Sequence, residues 1–199
     1  MEEGAPAVGD GHLWDLTLAQ FRQATASLAM PGCGAVSAVV ADFGLALVVK
    51  ALQVSEKRER REQRQGLLQS AQALLGRPGA FADDDVAAFQ QYLQAGRHDP
   101  QAQQTASRQA CAVPLATART CIEALDLAEA AWPEVVEPVR CDVHAGALLI
   151  ATAIDAVLLN VDADLDGLGD STTVEEVRLL RQTLQDQADE RRKRFADRI

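Results

Sequence analysis

An all-α fold is what this sequence predicts: a single-domain helical bundle around two nearly apolar central helices. Three observations carry that expectation. Alanine and leucine are abundant while aromatic residues are only 4%, a mixture that favours helices packed through small side chains. Apolar residues recur at helical spacing along most of the chain, and no strand-period alternation competes. Two segments, 35–54 and 142–161, are almost wholly apolar, which suits helices covered on all sides. The 199 residues are enough for one domain with a real core. Residues 1–11 read as a flexible acidic, Gly/Pro-rich tail, and 12–199 as one helical domain without repeats or linkers.

The elements follow in order. Residues 13–29 read as a helix, with Trp14, Leu18, Phe21 and Leu28 at helical spacing and a stop at Pro31. The first apolar segment is interrupted by Asp42 and Lys50. It reads as a buried central helix rather than a membrane span, which needs about 20 predominantly apolar residues. "SEKRERREQRQ" from Ser55 reads as a solvated helical face of mixed sign. An apolar stripe then returns at Leu67, Leu68, Ala71, Leu74 and Leu75, and "GRPG" (76–79) breaks the helix.

"DDDVAAFQQYLQA" (83–95) opens the next helix, its aspartates favouring the positive end. "GRHDP" (96–100) is a turn. A helix follows from about Gln101 to Leu127, with Pro114 inside it or between two pieces. "WPEVVEP" (132–138) is a loop, Asp142 to about Val161 is the second apolar helix, and Val174, Val177, Leu180 and Leu184 mark the last.

Several function classes are disfavoured. A formal net charge of −10 leaves no broad basic surface for nucleic acid. Cys33, Cys111, Cys121 and Cys141 form no C-x-x-C pair and read as free thiols in a reducing cytoplasm. His12, His98 and His144 have no partners at metal-ligand spacing, and His144 reads as a core imidazole. No Walker loop, dinucleotide fingerprint or Gly-x-Ser-x-Gly occurs. We expect neither a metal nor a nucleotide cofactor.

"NVDADLDGLGDSTTVEE" (160–176) tests the metal question directly. Asp162, Asp164, Asp166 and Gly167 fit the first, third, fifth and sixth positions of a calcium loop. The twelfth position is Thr173, which cannot supply the bidentate carboxylate. "TTVE" also matches a capping box, with Thr172 at the cap and Glu175 three residues later. Asn160 and Asp164 share a face if the preceding helix runs through Asp164. The acids are expected at a helix end and a pocket rather than around calcium; a solvated turn is the other possibility.

Taken in order, these segments resemble the cyclodeaminase/cyclohydrolase family. "LTLAQFRQATASLAMPGCGAVSAVVADFGLALV" is similar to its opening helix, glycine-rich loop and long Ala/Gly-rich helix. Asp85-Val86-Ala87-Ala88-Phe89 is similar to its Asp-Ala-x-Ala-Phe motif, "AVPLATA" (112–118) to its Val-Pro-Leu segment, and "CDVHAGALLIATAIDAVLLNVDADL" to its Ser-Asp helix. That helix runs into an Asn-Val-x-x-Asn-Leu motif and an aspartate, matched by Asn160, Asp164 and Asp170. The likeness spans about residues 13–195. It implies an all-helical fold, a homodimer and a tetrahydrofolate substrate. The sequence departs from the family pattern at Cys33 and Ala35, in a Gly-Gly-Gly-Ser-like loop, at Asp164, in place of an asparagine, and at Lys50, in place of an apolar residue.

The resemblance implies one of two reactions: water opening the methenyl bridge of 5,10-methenyltetrahydrofolate, or 5-formiminotetrahydrofolate closing its ring and expelling ammonia. Methenyltetrahydrofolate cyclohydrolase is preferred because no formiminotransferase domain is attached. Both reactions need a base near an amidinium-like carbon. Asp85 is the candidate, helix capping being its other role. Phe89 and Tyr92 share the Asp85 face at helical spacing and would pack on a pterin, or in the core. Gly32 and Gly34 precede a helix start, whose N–H groups can receive an oxygen, or simply make a tight turn. Lys57 would meet the folate tail, or solvent. Asn160 and Asp164 complete the expected substrate-binding set. A divergent member that binds folate or a protein partner without turnover is the alternative, and a calcium-dependent module a distant third. No membrane association is expected.

Overall fold

The local chemistry of the chain places seven α-helices among the described residues of this computed structural model, which are 12–95 and 99–198. The expected tail, His98 and most of the expected 96–100 turn lie outside them. The first helix, α1, spans Leu18–Ser27 and not 13–29: Thr17 and Gln20 form a reciprocal capping box that starts the helix there. Residues 13–15 make a separate 3-10 turn. Trp14 Nε1 donates to the Gly79 carbonyl at 3.0 Å, and the Leu13 N–H to Asp83 Oδ1 at 2.7 Å.

The two central helices stand where the apolar segments lie: α2 at Cys33–Arg58 and α6 at Arg140–Asp164. They pack on each other more extensively than any other pair. Gly44 and Gly146 are why they come so close. A Cβ on Gly146 would stand 2.5 Å from the Gly44 carbonyl oxygen, and one on Gly44 2.8 Å from that of Gly146. Both helices are long and apolar enough to cross a membrane, yet 61% and 50% of their most apolar windows are buried inside the bundle.

Around this pair lie α3 (Glu62–Leu74), α4 (Arg77–Gln94), α5 (Pro100–Ala131) and α7 (Ser171–Ala196). The α4 helix begins six residues earlier than the aspartate run suggests. Gly76 turns the chain at φ +88° and Pro78 occupies the first turn. The cap is Asp42 of α2, whose Oδ1 accepts the Gly76 N–H at 2.7 Å. The acid that interrupts the apolar run therefore caps a neighbouring helix.

Two further expectations are corrected. The charged stretch after Ser55 is not wholly solvated: Arg64 is 1% exposed. Its guanidinium donates to the carbonyls of Ser55, Glu59 and Glu134, closing the end of α2 onto the 132–139 segment. The cap of α7 is Asp170, not Thr172; its carboxylate accepts the N–H groups of Thr172 and Thr173. Two short 3-10 turns, Trp132–Glu134 and Glu137–Val139, occupy the expected loop, the second ending one residue beyond it. His144 packs beside the rings of Trp132 and Phe195.

Candidate functional site

Four helices converge on one cleft of about 240 Å³, α5 through Ala110. The start of α2 brings Gly32 and Cys33 to it, α4 brings Asp85, Ala88 and Phe89, and α6 brings Asn160, Ala163 and Asp164. On α4 and on α6 the lining residues fall at i, i+3 and i+4, the spacing that puts side chains on one helical face. Because α6 runs through Asp164, Asn160 and Asp164 sit on the same stripe. The acids of 160–176 separate there: Asp164 lines the cleft, Asp162 pairs with Arg181 at 3.0 Å, and Asp170 caps α7. Among the described residues no group of three or more His, Cys, Asp or Glu is placed to hold a metal ion.

Asp85 is at the floor, inside α4 and not at its start. It therefore does not cap its own helix. Its Oδ2 accepts the Ala35 N–H at 3.0 Å and its Oδ1 the Asn160 amide at 3.3 Å. The Ala35 N–H belongs to the first turn of α2, so the positive end of that helix faces the carboxylate. Gly34 permits this approach. A Cβ there would stand 2.0 Å from Asp85 Oδ1 and 2.5 Å from Asn160 Nδ2. No neighbour crowds a Cβ at Gly32, so sterics do not demand glycine at that position.

Burial raises the pKa of Asp85 above the ordinary carboxylate value, and the negative charge of Asp164 adds to it; the Ala35 N–H and Asn160 amide pull the other way. Burial also raises Asp164. The Cys33 thiol is raised by burial and then by the two carboxylates, so it stays protonated at neutral pH. Its S–H donates to Asn160 Oδ1. Pro114 of α5 contributes indirectly. It has no N–H to give the carbonyl four residues back, and that residue is Ala110, which lines the cleft.

The structure thus brings together Gly32, Gly34, Asp85, Phe89, Asn160 and Asp164. Tyr92 is not in the lining; its ring lies beside Gly167. Lys57 is not brought there within the chain. It lies in the last turn of α2, 24 residues beyond Cys33, or about 36 Å at 1.5 Å per residue. Cys33, Met30 and Ala110 line the cleft without having been expected. The small residues carry no chemical signal in sequence. Cys33 did carry one, as a side chain in a glycine-rich loop.

A sequence profile described as formiminotransferase-cyclodeaminase matches residues 17–182. The fold is similar to the crystal structure of a formiminotetrahydrofolate cyclodeaminase from Thermotoga maritima, with a TM-score of 0.87 over 94% of this chain and 96% of that one. Sequence identity between the two is 19%, so this likeness concerns the fold. No curated protein matches the sequence.

Proposed function

The chain belongs to the formiminotransferase-cyclodeaminase family, and on that premise we propose that it is a tetrahydrofolate one-carbon enzyme in which Asp85 moves the proton. The observation that carries this is the acceptor-rich cleft. Asp85 and Asp164 line it together with the Asn160 amide, and among the described residues no Lys or Arg lines it. Such a lining favours a cationic carbon flanked by nitrogens over an anionic group. At about 240 Å³ the cleft is smaller than the roughly 300–1,000 Å³ of a whole small-molecule site. It takes the reactive end of a folate, and Phe89 offers a ring beside it.

In hydrolysis of 5,10-methenyltetrahydrofolate, a water oxygen bonds to the bridge carbon and its proton passes to Asp85. The C–N5 bond then breaks, N5 takes up a proton, and 10-formyltetrahydrofolate forms. In the second reading N10 bonds to the carbon of the protonated formimino group and its proton passes to Asp85. Asp85 returns that proton to the former imine nitrogen, the bond from carbon to that nitrogen breaks, and ammonia leaves the 5,10-methenyl bridge behind. The activity named for the Thermotoga maritima protein favours that second reading. Both routes are proton transfers at a carbon already activated by nitrogen, so neither needs a cofactor besides the folate substrate.

The proposed assembly is a homodimer in a reducing cytoplasm. Phe43 of α2 and Leu148, Leu149 and Leu159 of α6 remain exposed on the two central helices, and a second copy would cover them.

The test is direct. Purified protein is mixed with each substrate, following methenyl absorbance in one case and ammonia in the other. Turnover above the uncatalysed rate supports the proposal and names the reaction. Folate binding without turnover would favour a non-catalytic family member instead. No binding of either folate would sink the proposal.

A further inference from the structure

We propose that Cys33 is a positioning residue for Asp85, acting through the amide of Asn160. The inference rests on the Asp85 role above only for its kinetic readout. A carboxamide can face either way round, and its two ends have opposite hydrogen-bonding sense. The Cys33 S–H donates to Asn160 Oδ1, and Asn160 Nδ2 donates to Asp85 Oδ1 at 3.3 Å. Turning the amide over would set its NH2 against the thiol hydrogen and its oxygen against a carboxylate oxygen. The second contact is repulsive, and the first leaves the thiol only the weaker role of accepting through sulfur. The thiol thus reinforces the orientation in which Asn160 supports the Asp85 anion.

The alternative role for Cys33, a nucleophile, is opposed by its surroundings. Burial and the charges of Asp85 and Asp164 keep the thiol protonated, whereas the thiolate is the attacking form. A protonated thiol is what the positioning role needs. Among the described residues, other polar groups face Asp85. Asp164 and Asn160 come from α6. From α5, Cys111 lies near Asp164, and burial pushes its thiol up to about 11, so it is neutral. Asp83 of α4 is engaged with His12 and the Leu13 N–H instead.

The experiment compares wild type with Cys33→Ala and Cys33→Ser. Asp85 is titrated by NMR in protein carrying carboxyl-¹³C aspartate, its signal identified by loss in Asp85→Asn. Removing the S–H frees the amide, so Cys33→Ala raises the Asp85 midpoint; the serine hydroxyl restores the donor and the midpoint. A merely space-filling Cys33 gives the opposite sign. Its truncation admits water, relieves burial and lowers the midpoint. The acid limb of the kcat/KM profile moves with the NMR midpoint, about tenfold in rate for each unit at low pH. A midpoint that is unchanged or lowered in Cys33→Ala, or equally raised in Cys33→Ser, overturns the positioning role even if folate is turned over. A raised midpoint rescued by serine supports it even if neither folate is turned over, and in that case only the functional proposal falls.

Discussion

Asp164 and Asp85 occupy one cleft but are held differently. Asp85 has two donors; Asp164 has no hydrogen bond to any of the described residues, and burial alone raises it. A carboxyl with a raised folded-state pKa keeps its proton in the folded chain where the unfolded chain has lost it. Its stabilising contribution is therefore complete below the unfolded value and is lost as pH rises through the folded one. Asp164→Asn removes an ionisation that opposes folding at neutral pH. Its Tm should equal or exceed that of wild type at pH 7, with the gap closing below about pH 4. Thermal melts at both pH values check this, and a lower Tm at neutral pH would mean that the carboxylate is stabilising. At this scale Asp85, Asn160 and Asp164 were legible because residue type and helical spacing both pointed to them. Cys33 was legible only as a departure, since its partner is 127 residues away. Lys57 was misplaced because its position followed from motif order and not from distance along a helix.

Element boundaries show the same division between local and distant causes. The existence of α2 and α6 was plain from composition. The start of α4 was not, because its cap, Asp42, comes from another helix. Thr172 was mistaken for a cap since "TTVE" satisfies a local rule, while Asp170 two residues earlier reaches the same N–H groups. Arg64 is the sharpest case: it stands in a charged run and is nevertheless 1% exposed. Its guanidinium satisfies three carbonyls, from the end of α2, from the residue that follows it and from Glu134. Leaving those acceptors unpaired costs about 1–3 kcal/mol each where water cannot replace the donor. Arg64→Ala should lower Tm by roughly 6–12 °C, measured by calorimetry. A change under about 2 °C would show that water takes over the role.

For the whole molecule, the central pair fixes both the core and the face that remains open. Gly44 and Gly146 bring α2 and α6 together, and the outer sides of the same helices expose Phe43, Leu148, Leu149 and Leu159. If a second copy covers this face, light scattering will give twice the chain mass, and Leu148→Glu with Leu159→Glu will shift it toward monomer without loss of helical signal. A wild-type monomer at working concentrations would contradict the dimer.

In the proposed function the bundle holds the Asp85 carboxylate in the cleft as the proton-transfer group, and a matched pair of variants tests that most directly. Asp85→Asn preserves shape but removes the base, whereas Asp84 is exposed on the preceding position of the same helix. With the folate that the wild type turns over, Asp85→Asn should lower kcat by roughly two to four orders of magnitude, with folate binding largely retained. Asp84→Asn should leave kcat nearly intact. Equal, mild losses from both would contradict the role given to Asp85.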